Sequence, residues 1–368
     1  MKIVADENMP LVRELFGRFG EVVCLPGREI QADDLRDADA LLVRSITKVN
    51  RQLLEGSRVG FVGTATIGVD HVDADYLKER DIEFTSAPGC NANAVVDYVF
   101  SALCAVEINW QALFSGEQAV GIIGCGNVGG RLHKRLRKLG VRVHCYDPFL
   151  TAADNPDLTD LQTVLDCSVI SMHTPLTKDG PHPTFHMLSE SQLAQLKPGT
   201  VLINAGRGPA IDNEALLQCL QQGVDIKIVL DVWEAEPEVP QALMDCVAIA
   251  TPHIAGYSVQ GKTNGTRMVY EAFRKWNGAK ADEPKEGAEL AELTADSFCE
   301  AILGAYNICQ DDSRMRSALQ GYEKGRSVVF DRLRKEYPQR NEFSCYRLSG
   351  GIGTEDSKRL KALGFELS

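Results

Sequence analysis

No stretch of this 368-residue chain approaches the roughly 18 consecutive apolar residues that a membrane-spanning helix needs. A helical membrane protein is therefore excluded. The opening Met1-Lys2-Ile3-Val4-Ala5-Asp6 meets an acidic residue almost at once, so no secretory leader is expected and the cytoplasm is the default compartment. Eleven cysteines are scattered singly, with no Cys-x-x-Cys pair, which disfavours structural zinc and a disulfide framework. They are expected to be reduced packing thiols, and no metal site is expected. Positive charge is also short: 51 acidic residues face 39 basic ones, a formal net charge of −12. That balance argues against broad contact with nucleic acid or an anionic membrane face, so an anionic ligand must meet a local positive cluster. Internal repeats and low-complexity tracts are missing, which removes solenoids and disordered arrays. What remains is ordinary globular composition, 44% hydrophobic and 24% charged, in a chain long enough for two or three domains.

The first 90 or so residues alternate short apolar runs with helical patterns. Lys2–Ala5, Ala40–Val43, Val59–Val62 and Ile82–Phe84 are the strand candidates, and such alternation implies a parallel sheet. A long helical pattern from about Asn91 to Phe114 follows, with Val95, Val96, Val99, Phe100, Leu103 and Val106 on one face, expected to bridge two domains. From Ala119 the rhythm restarts with six runs: Ala119–Ile123, Val141–Tyr146, Ser168–His173, Thr200–Asn204, Lys227–Leu230 and Val247–Ala250. Six parallel strands make a doubly wound sheet. An amphipathic stretch, Val259–Trp276, leads to a polar Gly/Pro-containing linker over Gly278–Gly287. The final unit patterns as helix (Leu293–Cys309), helix (Ser327–Tyr337), strand (Phe343–Leu348) and helix (Glu355–Leu363), carries no chemical motif, and suits interaction.

Gly124-Cys125-Gly126-Asn127-Val128-Gly129 follows the first strand of the second series and opens a helix expected over Arg131–Leu139. In that context the three glycines permit a tight turn, close approach of backbone to a pyrophosphate, and close packing of helix on strand. The helix N-terminus offers unpaired N–H groups to the phosphates. Asp147 closes the next strand about 20 residues on, where a carboxylate accepts from ribose hydroxyls and repels a 2′-phosphate; with no arginine beside it, NAD is favoured over NADP. Gly124, Gly126, Asn127, Val128, Gly129 and Asp147 form the expected cofactor-binding core.

Ligands of doubly wound sheets lie beyond the carboxyl ends of the strands. Three polar groups of complementary chemistry occur there. Arg207, between two glycines, is suited to grip a carboxylate bidentately and to polarise a neighbouring carbonyl. His253 can exchange a carbinol proton, and Glu236, hydrogen-bonded to the ring, would orient it and favour its charged form. On residue chemistry alone Arg207 also suits a surface position and His253 a structural one. His173, His182 and His186 rival His253, His71 is expected to cap or pack, and Cys90 lacks a neighbouring base.

The run GIIGCGNVGGRL, HTPLT, LKPGTVLINAGRG, DVWEAEP and TPHIAGYS, in that order from Gly121 to Gly256, resembles the D-isomer-specific 2-hydroxyacid dehydrogenase family. The resemblance implies a Rossmann-type NAD domain over 93–256, a discontinuous flavodoxin-like substrate domain over 1–92 and 257–280, and a small α+β dimerisation domain over 285–368. By it Arg207 binds the substrate carboxylate, Glu236 pairs with histidine, and His253 is the acid/base. Thr174, Ala205, Gly206, Arg207, Asp231 and Gly256 would line the cofactor, although Asp231 equally suits a strand-end cap. VADENMP, LLVRSITKVN, FVGTATIGVDHVD, SAPGCNANAV and the inserted loop HTPLTKDGPHPTFHML further resemble the branch that oxidises 4-phospho-D-erythronate at C2 in vitamin B6 biosynthesis. That likeness implies a phosphorylated 2-hydroxy acid as substrate, contacts from Ser45, Thr66 and Tyr257, and a homodimer. Arg44, at a strand end expected to face an interdomain cleft, is our own candidate for the phosphate. Other family activities, on phosphoglycerate or hydroxypyruvate/glyoxylate, and a non-enzymatic NAD-sensing role share the same motifs.

Overall fold

The computed structural model describes residues 1–280, 290–322 and 324–368. The linker expectation over 281–287 lies outside the described residues. The chain divides into two compact units, Met1–Asn91 with Ser258–Gly287 and Ala92–Tyr257 with Ala288–Ser368.

The first unit holds β1 (Lys2–Asp6), β2 (Glu21–Leu25), β3 (Ala40–Val43), β4 (Phe61–Thr64) and β5 (Glu83–Thr85), in the order β2-β1-β3-β4-β5 with every pairing parallel. That is the flavodoxin-like order. β3 and β4 are buried along their whole length, which explains why they were visible as unbroken apolar runs. β2 is a half-exposed edge strand and was not anticipated, because its Glu-Val-Val-Cys-Leu lies in an open position where burial imposes no pattern. The helix Val259–Trp276 covers this sheet, its first turn capped by Ser258 Oγ accepting from the Gly261 N–H at 2.8 Å. Phe273 packs edge-on against Phe16 and Phe61, with centroids 5.3 and 5.2 Å apart.

The second unit is built on β6 (Ala119–Ile123), β7 (Arg142–Tyr146), β8 (Val169–Met172), β9 (Thr200–Asn204), β10 (Ile226–Leu230) and β11 (Ile249–Ala250), ordered β11-β10-β9-β8-β6-β7 and parallel throughout. Leu158 adds an isolated parallel bridge to Cys145 on the open side of β7. Chain progress reverses between β6 and β8, so a crevice opens at their carboxyl ends.

Several local expectations are corrected. The helical pattern to Phe114 is two helices, Ala92–Ala105 and Trp110–Phe114, because Asn109 caps the second by accepting from the Ala112 N–H at 3.1 Å. Residues 293–309 are not one helix either: β12 (Ala291–Thr294) precedes a helix at Phe298–Ala305 capped by Ser297, and Asn307 caps a further, unanticipated helix at Ile308–Leu319. The motif helix starts at Asn127 rather than Arg131. β13 (Tyr346–Ser349) and β14 (Glu366–Leu367) complete a small parallel sheet, β12-β13-β14. Although this C-terminal stretch has its own sheet, Phe298, Ala301, Ile302 and Phe343 share one hydrophobic core with Val95, Val99 and Val120, so it groups with the second unit rather than standing alone. Cys104 and Cys299 form a disulfide, Cα atoms 5.4 Å apart, which corrects the expectation of free thiols throughout. Among the described residues no helix is long and apolar enough to cross a membrane.

Candidate active site

At the crevice between β6 and β8, Gly124 has φ +85°, and a Cβ there would lie 3.0 Å from the His173 backbone. Only glycine suits both constraints. The helix Asn127–Lys138 begins at once, and a Cβ on Gly129 would collide with the Gly124 carbonyl oxygen, so its absence lets helix and turn close up. The Asp147 carboxylate accepts from the Cys125 N–H at 2.9 Å and from the Phe149 N–H at 3.1 Å, fixing it beside the turn with lone pairs to spare. Opposite, Thr174 is buried and its Oγ1 has no hydrogen-bond partner. Gly206 packs on the Thr174 backbone and Ala205 is half-buried next to it. A glycine cradle, a waiting carboxylate and an orphaned hydroxyl suit a dinucleotide.

The loops after the adjacent strands β9, β10 and β11 carry the candidate reacting groups Arg207, Glu236 and His253. Asn204 ends β9; its Oδ1 accepts from the Gly206 N–H at 3.1 Å and its Nδ2 donates to the Arg207 carbonyl at 3.0 Å, fastening the loop that carries Arg207. Arg207 is half-buried, its Nη1 donating to the Gly206 carbonyl at 2.9 Å. Gly208 lies so tightly on the Trp233 backbone that a Cβ would overlap it, which seats the Arg207 loop against the one following β10. Asp231, fully buried, accepts from Thr251 Oγ1 at 2.7 Å, the Ile254 N–H at 2.8 Å and the Ala255 N–H at 2.9 Å. Its carboxylate thereby shapes the His253 loop, in the manner of a strand-end cap. His253 sits at φ 57°, held by its N–H donating to the Asp231 carbonyl at 2.7 Å.

His253 Nδ1 lies 2.7 Å from Glu236 Oε1, the pairing expected from residue chemistry. Burial pushes the Glu236 carboxyl up, but the His253 hydrogen bond and charge, aided by Arg334, outweigh it and hold the group below its ordinary value. An ionised Glu236 accepts a hydrogen bond from Nδ1–H, which leaves the Nε2 lone pair facing away from it. The half-buried Gly256 and Tyr257 follow, the Tyr257 N–H donating to the Ile254 carbonyl at 2.7 Å.

Of the rival histidines, His182 is exposed and edge-on to Phe149, and the other two are otherwise engaged. Burial alone lowers His173 to about 3, so its ring stays neutral and resists accepting a proton. His186 lies 2.7 Å from Glu234 through Nε2 and 3.5 Å from Asp212 through Nδ1, a trio of metal-ligand type whose imidazole is already paired on both sides. His71 Nε2 is 3.0 Å from Thr64 Oγ1, which is 2.8 Å from Thr66 Oγ1, so in the first unit His71 orders the Thr66 hydroxyl. There Ser45 is exposed, Arg44 is half-buried, and both follow β3 as expected. Cys90 is buried.

Residues 109–255 match the model of the D-isomer specific 2-hydroxyacid dehydrogenase NAD-binding domain. Residues 287–364 match a domain of unknown function. Erythronate-4-phosphate dehydrogenases of Cellvibrio japonicus and Teredinibacter turnerae are 50% and 48% identical to this chain, covering 99% and 100% of it and 99% of their own lengths. The chain belongs to the erythronate-4-phosphate dehydrogenase family. It is an NAD-dependent 2-hydroxyacid dehydrogenase. The fold of this family member is also that of a D-lactate dehydrogenase from Aquifex aeolicus complexed with NAD and lactic acid (22% identity, TM-score 0.60) and a cofactor-bound 3-phosphoglycerate dehydrogenase from Entamoeba histolytica (24%, 0.60). Each covers 76% of this chain and 96% of its own.

Within this erythronate-4-phosphate dehydrogenase family member, the residue pattern did not reveal the roles of Asn204 and Thr251, and for His71 it gave only capping or packing. Asn204 had a visible signal, a polar residue closing the apolar run Thr-Val-Leu-Ile. For Asp147 we predict that Asp147→Ser lowers the preference for NAD over NADP by about tenfold or more, since it removes the charge that repels a 2′-phosphate. Cofactor titrations of the variant with both nucleotides check this, and an unchanged ratio would count against the assignment.

Proposed function

We propose that the chain oxidises 4-phospho-D-erythronate at C2, giving (R)-3-hydroxy-2-oxo-4-phosphonooxybutanoate, a step of vitamin B6 biosynthesis. The hydride acceptor for the C2 hydrogen would be supplied by NAD when bound. Gly124, Gly126, Asn127, Val128, Gly129, Asp147, Thr174, Ala205, Gly206, Asp231 and Gly256 would hold or shape its site. His253 Nε2 receives the proton of the C2 hydroxyl, and Glu236 stabilises the resulting imidazolium through Nδ1. Arg207 grips the substrate carboxylate and draws charge from the forming carbonyl oxygen. Ser45, Thr66 and Tyr257 are the further substrate contacts, with Arg44 a cationic partner for the phosphate. The chain works as a cytoplasmic homodimer through its C-terminal segment.

The single observation that carries this reading is the 2.7 Å contact between His253 Nδ1 and Glu236 Oε1 at the strand end beside the Arg207 loop. Following nicotinamide absorbance with 4-phosphoerythronate, 3-phosphoglycerate, glycerate and lactate tests it. The largest kcat/KM should belong to 4-phosphoerythronate. A larger value for any of the others would reject the substrate.

A further inference from the structure

Arg334 lies in the helix Arg326–Lys335, within the stretch matched by the domain of unknown function. Three observations bear on its role. Its guanidinium carbon is 5.9 Å from the ring centroid of Tyr257, directly after the His253 loop, and 5.9 Å from that of Phe330. Its Nε is buried without a hydrogen-bond partner, although buried N–H groups are nearly always satisfied. Its charge also reaches Glu236, contributing to the lowering of that carboxyl. The neighbouring Arg340 also has a buried N–H without a partner, at Nη1, and lies over Tyr306, but it donates to the Ala94 and Ala255 carbonyls, so it is a structural clasp.

A cation held on aromatic faces next to a reaction centre, with donors to spare, is suited to an anion that arrives with the substrate. The protein as a whole repels anions, at a net charge of −12. Solved dehydrogenases of this fold cover 76% of the chain, so about a quarter of it has no counterpart in them. We propose that Arg334 is a specificity-determining residue, brought to the dehydrogenase site by the C-terminal segment to recognise the substrate's phosphate. This rests on the phosphorylated-acid reading given above.

The test compares full-length wild type, Arg334→Gln and Arg334→Lys for kcat/KM on 4-phosphoerythronate and on unphosphorylated erythronate. Any effect passed through Glu236 falls on both substrates and cancels in the ratio. The preference for the phosphorylated acid should drop roughly 10- to 100-fold in the glutamine variant and recover partly in the lysine variant. NAD titrations of the variants report folding, and a variant that no longer binds NAD leaves the lysine form to carry the comparison. An unchanged preference ratio, with both substrates losing equally, overturns the proposal and leaves Arg334 a positioning residue for Glu236. Should the wild type prefer another phosphorylated acid, the substrate assignment fails while the ratio for that acid still judges Arg334. A wild-type preference for unphosphorylated acids overturns both.

Discussion

Replacing His253 with alanine should slow the chemical step by about 10²–10⁴-fold while NAD still binds, because a general base is lost and the glycine cradle is untouched. Stopped-flow absorbance with saturating 4-phosphoerythronate reads the step, and a cofactor titration reads the binding. Asp231 holds the Ile254 and Ala255 N–H groups, the loop then turns through His253 at φ 57°, and the ring meets Glu236 at 2.7 Å. Only Nε2 is left to face a substrate, so no second group inherits the proton when the ring is deleted. His186 cannot take over, since Glu234 and Asp212 flank it. Full activity in the alanine variant would reject the assignment. Glu236→Gln should show a milder loss, because a neutral amide still orients the ring but cannot balance an imidazolium.

How much of this was legible beforehand follows from how strongly burial writes on each residue. Strands sheltered on both faces, such as Thr200–Asn204, had to be apolar along their length and were visible as runs. The edge strand Glu21–Leu25, half-exposed, bore no such mark. Helical periodicity survives a break when the residues beyond it stay apolar, so the stop before Asn109 and the caps at Ser297 and Asn307 were hidden inside apparently continuous patterns. These are side-chain-to-backbone bonds whose effect depends on where the chain turns. Glu236 and His253 were recognisable because their chemistry is complementary. Asn204 was marked only by its place at the end of an apolar run; its role was not, since its two bonds go to the backbone of a loop whose path no spacing reveals. The Cys104–Cys299 pair spans 195 residues, and a separation of that size carries no local signal.

Arg207→Lys should lower kcat/KM for 4-phosphoerythronate by roughly 10²-fold or more, although the charge is kept, because a single ammonium cannot present two parallel N–H donors to a carboxylate. The loop geometry sharpens this expectation. Asn204 clamps both the Gly206 N–H and the Arg207 carbonyl, and Gly208 is locked on the Trp233 backbone, so the main chain cannot shift to bring a shorter side chain forward. Nη1 is fixed on the Gly206 carbonyl at 2.9 Å, which orients the plane of the guanidinium before any ligand arrives. A lysine would lose that orientation along with the fork. If Arg207 also draws charge from the forming carbonyl oxygen, kcat falls as well as KM rising, whereas a pure carboxylate anchor changes KM alone. Steady-state kinetics therefore separates the two roles, with Arg207→Ala plus added guanidinium as a second arm in which partial rescue is expected. Values of kcat and KM both within about twofold of wild type in the lysine variant would remove Arg207 from the site altogether.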